Sequence, residues 1–374
     1  MPAARTVGIV GSGAGGLTLS VFLADAGFDV EILERAEGPA TLGSGLTLQG
    51  NALRVLRELG LWSQLQSKGF SFSELGMRAP DPEATVLAVI PDALTGGPDL
   101  PATLGIFRPD LAGVVRERAL LAGVRIRYGQ KVVAADTSKR NATVITDAGE
   151  RYSYDLVVGA DGLHSAVRDA IGITEGPQRT GLGAWRAFVP RPAEVTRTDL
   201  IYGGHTYLAG YCPTGEGTMY AYLLEDGRER DLDDGPAIMR ELAGHYGGPW
   251  NEIRESITEQ SPIHYTQFTS HLVGGPWHRG RIVLIGDAVH SCPPTIAQGA
   301  AMAIEDAAVL ADELTRADHY DDDLATRFRE RRYGRAKIVV ESSVQLGQWM
   351  LEHNRDADIP GLMRTVAETV SVPV

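Results

Sequence analysis

Three glycines spaced as G-x-G-x-x-G, Gly11, Gly13 and Gly16, sit within "VGIVGSGAGGLTLSVFLADAGFDVEILER" (residues 7–35), and Glu34 follows eighteen residues after the last of them. The chemistry they suit is capture of a dinucleotide. Gly11 permits a tight turn, Gly13 removes a side chain that would hold a pyrophosphate away, and Gly16 lets a helix lie against a sheet. The free amides and positive end of that helix then face the diphosphate, while Glu34 can accept hydrogen bonds from a ribose. Two further carboxylates stand after apolar strands: Asp161 in "DLVVGADGLHSAVR" (155–168) and Asp287 in "RIVLIGDAVHSCPPTIAQGAAMAIEDA" (281–307). Open α/β sheets bind ligands at such strand ends. An Asp there also serves as a helix cap, but two of them downstream of one glycine fingerprint favour a ligand.

The elements that position these residues are legible around them. "TVGIV" is a β-branched run of the kind that forms a buried parallel strand. Leu17, Leu19, Val21, Phe22, Leu23 and Ala26 give a helix its apolar side, Gly27 ends it, and "FDVEILER" forms a second strand. Strand, turn, helix and strand fit in about 30 residues, the span of a dinucleotide-binding βαβ unit. An export signal would need a basic start and a glycine-poor apolar middle, whereas this stretch has five glycines from Gly8 to Gly16 and then Asp25.

The 374 residues allow about two domains. A net charge of −13 repels nucleic acid and anionic lipid, so neither is an expected partner. No apolar run approaches the roughly 18 residues of a membrane span. Two cysteines, Cys212 and Cys292, are too few for a disulfide framework and suit a cytoplasmic protein. His264, His271 and His278 recur every seven residues without a Cys or second close His, a poor metal set.

Taken in order, the glycine fingerprint ending in Glu34 and Arg35, "GSGLTLQGNALRVLRELGL" (43–61), "FRPDLAGVVRERA" (107–119) and the two Asp motifs resemble the FAD-dependent aromatic-ring monooxygenases related to para-hydroxybenzoate hydroxylase. The resemblance runs from Val7 to about Arg335. It implies an α/β chain with a Rossmann-like, glutathione reductase-like FAD-binding domain (1–75, 107–180 and 276–335), an inserted mixed-sheet substrate domain (76–106 and 181–275) and a C-terminal helical segment (336–374). It implies that Gly11, Ser12, Gly13, Ala14, Gly15 and Gly16 hold the FAD diphosphate, Glu34 the adenosine ribose, and Arg35 the adenine edge or a phosphate. Arg108 would reach FAD from a separate helix, and Val132 or Val133 would flank the adenine. Asp161 would serve FAD and the nicotinamide donor, and Gly286 with Asp287 the ribityl chain or diphosphate. A helix opening near Gly299 would aim the amides of Gly299, Ala300 and Ala301 at the flavin pyrimidine edge. The family has a larger residue and Asn where Ala300 and Ala301 stand. Pro293 and Pro294 would stiffen the loop beside the flavin ring, and Gln49 would touch flavin or substrate.

The implied activity is single-component hydroxylation of a phenol-, pyridine- or quinolone-like ring with O2, through a C4a-hydroperoxide of flavin reduced by NADH or NADPH. With no second glycine fingerprint, the nicotinamide donor binds transiently. An epoxidase or other tailoring oxygenase is the enzymatic alternative, and a non-catalytic FAD-binding scaffold the alternative of another class; the W-x-W-x-I motif of flavin halogenases is absent. Substrate contacts are expected from the alternating strands "GAWRAFVP", "TDLIYGGHTYLAGYCP" and "GTMYAYLLED". Alternation places His205, Tyr207 and Ala209 on one side, Tyr220 and Tyr222 together, and Trp185 opposite Arg186. Arg186, His205, Tyr207, Tyr211, Tyr222 and Trp185 are the pocket candidates, with Pro294 beside the ring and His205 or a tyrosine as base. His290 and Ser291 are expected to cap the turn after Asp287, and 321–349 to form one long helix with a mostly solvated face. A monomer or homodimer is expected.

Overall fold

The strand Thr6–Val10 is apolar on both faces, with Val7 and Ile9 wholly buried, and it lies inside a six-stranded sheet. The computed structural model describes residues 4–374; the first three residues of the expected FAD-binding unit lie outside the described residues. Thr6–Val10 pairs in parallel with Asp29–Leu33 on one side and Leu156–Gly159 on the other. Arg125–Arg127 and Ile282–Leu284 extend the sheet in parallel, and His278–Arg279 closes it antiparallel. Parallel register has one decisive result: the turns after Val10, Gly159 and Leu284 emerge at the same edge. Helices Ala14–Asp25 and Gly299–Arg316 cross there closely, since a side chain begun at Gly15 would meet Ala303 O at 3.1 Å.

A second layer is an eight-stranded sheet, ordered His290–Ser291, Ile263–Leu272, Gln178–Pro190, Thr218–Asp226, Leu208–Pro213, Thr198–Tyr202, Glu74–Arg78, Val86–Pro91. Its two faces have different fates, as the two-residue alternation of strands requires. Trp185, Ala187, Ile201, Tyr211, Met219, Ala221 and Leu223 form a core beneath helices Gly235–Ala243 and Pro249–Ser256. Their strand neighbours Arg186, Tyr220, His264 and Thr266 face the cleft below the first sheet. The Pro- and Gly-rich stretch 76–106 supplies most of the last two strands at one end of this sheet, and Gly45–Gln49, Thr103–Phe107 and Phe70–Phe72 make a small sheet of their own.

Two expectations need correction. "TDLIYGGHTYLAGYCP" is not one alternating run: Gly203 (φ 78°) and Gly204 (φ 88°) make a turn and the strand restarts at Leu208, so parity does not carry from His205 to Ala209. The helix Asp322–Leu351 is real but not mostly solvated, because Phe328, Arg332, Ala336 and Val339 are buried along one side. The helix Ile359–Ser371 packs against it. Among the described residues no helix is long and apolar enough to cross a membrane.

Candidate active site

Between the two sheets runs a cleft of about 950 Å³. Gly11, Ser12, Gly13, Ala14, Gly15, Glu34, Arg35, Arg108, Asp161, Gly286, Asp287, Pro294, Gly299 and Ala300 line it, along with Arg186 on the opposite side. The three fingerprint glycines stand in three different surroundings. Gly11 holds a φ of 102°, a left-handed conformation unfavourable to side chains. A side chain at Gly13 would meet nothing within 4 Å, so the helix start is open to a ligand. Gly16 lies outside the cleft, where any side chain would collide with the carbonyl of Gly11. Glu34 staples the turn: its Oε2 accepts from Ser12 N at 2.8 Å and Ser12 Oγ at 2.7 Å, and its Oε1 from Ala36 N at 2.9 Å. Burial pushes its carboxyl up, yet these hydrogen bonds hold it below the usual range.

The loop through Gly286 and Asp287 is held from behind. Gly286 N donates to Asp306 Oδ2 at 2.8 Å, and His290 Nε2 lies 2.6 Å from that same oxygen. Arg332 Nε donates to Asp306 Oδ1 at 2.7 Å and its Nη1 to Glu305 Oε2 at 3.0 Å, all three side chains having no exposed area. Burial alone would raise the Asp306 carboxyl; His290 and Arg332 keep it far below the usual range. Asp287 is open to water in the cleft but ringed by protein atoms, which push its carboxyl up against the pull of His290 and Arg108. Among the described residues no donor is hydrogen-bonded to it. Asp161 is likewise raised by burial, despite Ser165 Oγ at 2.5 Å and Val167 N at 3.1 Å.

Several cofactor expectations shift by a residue or a role. Val132 lines the cleft, whereas the neighbouring Val133 is 48% exposed outside it. Ala301 is buried in its helix and does not reach the cleft. Gln49 stands back too: its Nε2 donates to Ile296 O at 3.0 Å and its Oε1 accepts from Gln298 Nε2. Asn51 Nδ2 donates to Gln298 Oε1 at 3.1 Å and Glu305 Oε1 at 3.2 Å. These two residues set the loop that leads into Gly299, and the buried Gln298 they share carried no sequence signal.

The opposite wall is made of side chains. Arg186 Nη1 donates to Thr266 Oγ1 at 2.5 Å, and its guanidinium lies 5.7 Å from the centroid of the Phe268 ring. Burial lowers its pKa, and no carboxylate is bonded to it among the described residues. His264 is the register partner of Arg186 on the next strand, and its Nε2 is buried without a hydrogen-bond partner among the described residues. Tyr220 OH lies 3.0 Å from Thr47 Oγ1, and burial pushes its phenol up.

Five substrate candidates stand elsewhere. Trp185 and Tyr211 belong to the far face: Trp185 Nε1 donates to Glu225 Oε1 at 2.9 Å, and Tyr211 OH to Asp199 Oδ2 at 3.0 Å. His205 lies exposed in the Gly203–Gly204 turn, stacked on His245 with centroids 3.7 Å apart. Tyr207 OH donates to Asp226 Oδ1 at 2.7 Å and its ring faces His353, away from the cleft. Tyr222 backs Tyr220, ring centroids 5.2 Å apart, without lining the cleft. The missed residues are His264, Thr266, Phe268, Tyr220 and Thr47. "IHYTQFTSH" carried the signal, since its alternate residues are His264, Thr266 and Phe268, but the seven-residue histidine spacing obscured it.

Residues 4–343 match the family described as "FAD binding domain". The chain is 31% identical to the putative FAD-dependent monooxygenase YetM of Bacillus subtilis, over 97% of both chains. It is 32% identical to 2-heptyl-3-hydroxy-4(1H)-quinolone synthase of Pseudomonas aeruginosa, over 92% of this chain and 90% of that one. Among solved structures, Klebsiella pneumoniae HpxO complexed with FAD and uric acid superposes with a TM-score of 0.85 at 20% identity, covering 99% of this chain and 97% of that one.

Proposed function

The chain belongs to the family of FAD-dependent aromatic-ring monooxygenases, and from that premise we propose that it hydroxylates a small aromatic or N-heteroaromatic ring bearing an ionisable oxygen. The relatives that make a hydroxyquinolone or hold uric acid support the heteroaromatic reading. Two observations support FAD in this cleft: the open space at Gly13 before the start of a helix, and the unpaired Asp287 carboxylate, which can accept from hydroxyls. Gly11–Gly15 would hold the diphosphate, Asp287 the ribityl hydroxyls, and the amides at Gly299 and Ala300 the flavin ring. Reduced by NADH or NADPH, FAD supplies the activation of oxygen.

The observation that carries the substrate class is the registered pair Arg186 and His264. A guanidinium without a carboxylate partner stabilises a ring oxygen as its anion. The His264 imidazole, on the cleft wall beside Arg186, can take the proton that the ring hydroxyl gives up. Deprotonation makes the ring electron-rich, the state that accepts an electrophilic oxygen. Tyr220 and Phe268 offer flat apolar contact to the ring.

The test compares hydroxypyridines and hydroxyquinolines with their methyl ethers on FAD-loaded protein. The hydroxyl forms should stimulate NAD(P)H oxidation and yield product one oxygen heavier from labelled O2, while the ethers should not. Arg186→Gln should keep its FAD and lose ring affinity about tenfold or more, the scale of a charged hydrogen bond. Equal stimulation by ethers and hydroxyl forms would remove the ionisable oxygen from the proposal. Bound FAD that neither nicotinamide reduces, whatever ring is present, would leave the scaffold reading in its place.

A further inference from the structure

Behind the cleft wall three buried polar side chains stand in line: Arg168 (4% exposed), His271 (7%) and Ser291 (5%). The strand pairing His271↔Ser291 brings the last two together. His271 Nδ1 lies 2.8 Å from Ser291 Oγ, and its Nε2 lies 3.4 Å from Arg168 Nη1. A guanidinium can only donate, so an Nε2 that accepts from Arg168 leaves the ring proton on Nδ1, facing Ser291 Oγ; the other tautomer turns a ring proton toward the Ala288 carbonyl and takes the Ser291 proton on Nδ1. Burial, reinforced by Arg168, lowers His271 to about 4, which keeps the imidazole neutral at neutral pH. The line is anchored at both ends: Arg168 Nη1 also donates to Leu163 O at 3.0 Å and Ala288 O at 3.3 Å, and Ser270 Oγ donates to Ser291 O at 3.0 Å.

With the ring proton on Nδ1, Ser291 Oγ accepts from His271 and keeps its own proton. Among the described residues no acceptor takes that proton. Of the three, only Ser291 lines the cleft, between Asp287 and Pro294 on the wall that leads to Gly299.

We propose that Arg168 and His271 are positioning residues that aim the Ser291 hydroxyl into the cleft as a hydrogen-bond donor to the bound flavin. The inference rests on FAD occupying the cleft, so the experiment first measures FAD binding to the wild-type apoprotein, whose failure would sink that occupancy rather than this relay. Ser291→Ala should weaken FAD about fivefold, the scale of one hydrogen bond, and shift the absorption bands of the bound flavin. Ser291→Cys, close in size but a weak donor, should behave alike. His271→Leu should weaken FAD by a smaller factor, and His271→Asn, which keeps an N–H near the place of Nδ1, should recover it. In the Ser291→Ala background, His271→Leu should add nothing to the loss. Melting of the apoproteins monitors folding independently. Wild-type FAD affinity and spectrum in both Ser291 variants would overturn the proposal. A loss confined to NAD(P)H would do so too, as would a His271→Leu effect of the same size with and without Ser291.

Discussion

The two walls of the cleft are built by opposite means. The wall proposed to hold FAD is made of turns at the ends of parallel strands, and what it offers a ligand is largely backbone: the open helix start at Gly13, and the amides at Gly299 and Ala300. Its side chains mostly hold the turns in place, Glu34 on Ser12 and Asp306 on Gly286. The facing wall is made of alternate side chains from antiparallel strands, with Arg186, His264 and Tyr220 projecting and their neighbours locked into a separate core. Backbone groups survive substitution, so the first wall suits a cofactor that does not change. Side chains exchange without disturbing the ladder that carries them, so the second suits a substrate that does.

If the cofactor wall depends on buried scaffolding, its weakest point is Arg332. Arg332→Leu would leave Asp306 and Glu305 charged in a dry interior with one fewer cation. Removing one partner of a buried ion pair costs about 3–5 kcal/mol. The expected outcome is a protein that unfolds at much lower denaturant and loads little FAD, read by denaturant titration and by flavin absorbance after purification. An unchanged midpoint would mean that the Gly286 turn stands without this network, and the contrast between the walls would lose its basis.

The glycines allow a finer cut within the same wall. Gly16→Ala would drive a methyl into the Gly11 carbonyl and should cost about 1–3 kcal/mol, as overpacking does, in the absence of any cofactor. Gly13 is extended, at φ −72° and ψ 179°, with open space around it, so Gly13→Ala should leave the apoprotein's melting temperature unchanged or slightly raised. Its effect should fall on FAD affinity alone. A Gly13→Ala protein that binds FAD as tightly as wild type would show that the diphosphate does not approach there.

The same contrast explains what could be read from the sequence. The cofactor wall was legible because each turn is contiguous in the chain: strand, glycines and helix start lie within a few residues, and only their common edge needed the sheet. The substrate wall was not, because side-chain parity must be counted from the true start of a strand. Gly203 and Gly204 reset that count and carried His205 and Tyr207 away from the cleft. Which face of Ile263–Leu272 points inward depends on its register with Gln178–Pro190, which no single strand reveals. Arg332 misled for a related reason: a charge on a helix reads as solvated until its partners, on another helix, are known.

The smallest effect is the sharpest on the sheet itself, because Tyr211 and Tyr220 sit on adjacent strands and point to opposite faces. Tyr211→Phe removes a hydroxyl that donates to Asp199, whose carboxylate keeps Arg78 and Arg197. It should cost about 1 kcal/mol of stability and leave the kinetics of ring hydroxylation as they were. Tyr220→Phe removes a hydroxyl bonded to Thr47 at the cleft, so its effect should fall on KM for the ring by a few-fold, again the scale of one hydrogen bond. Melting curves and steady-state kinetics on the two variants separate the faces. If Tyr211→Phe moved KM more than Tyr220→Phe, the substrate would lie on the side of the sheet now filled by Trp185 and Trp250, and the cleft would hold the cofactor alone.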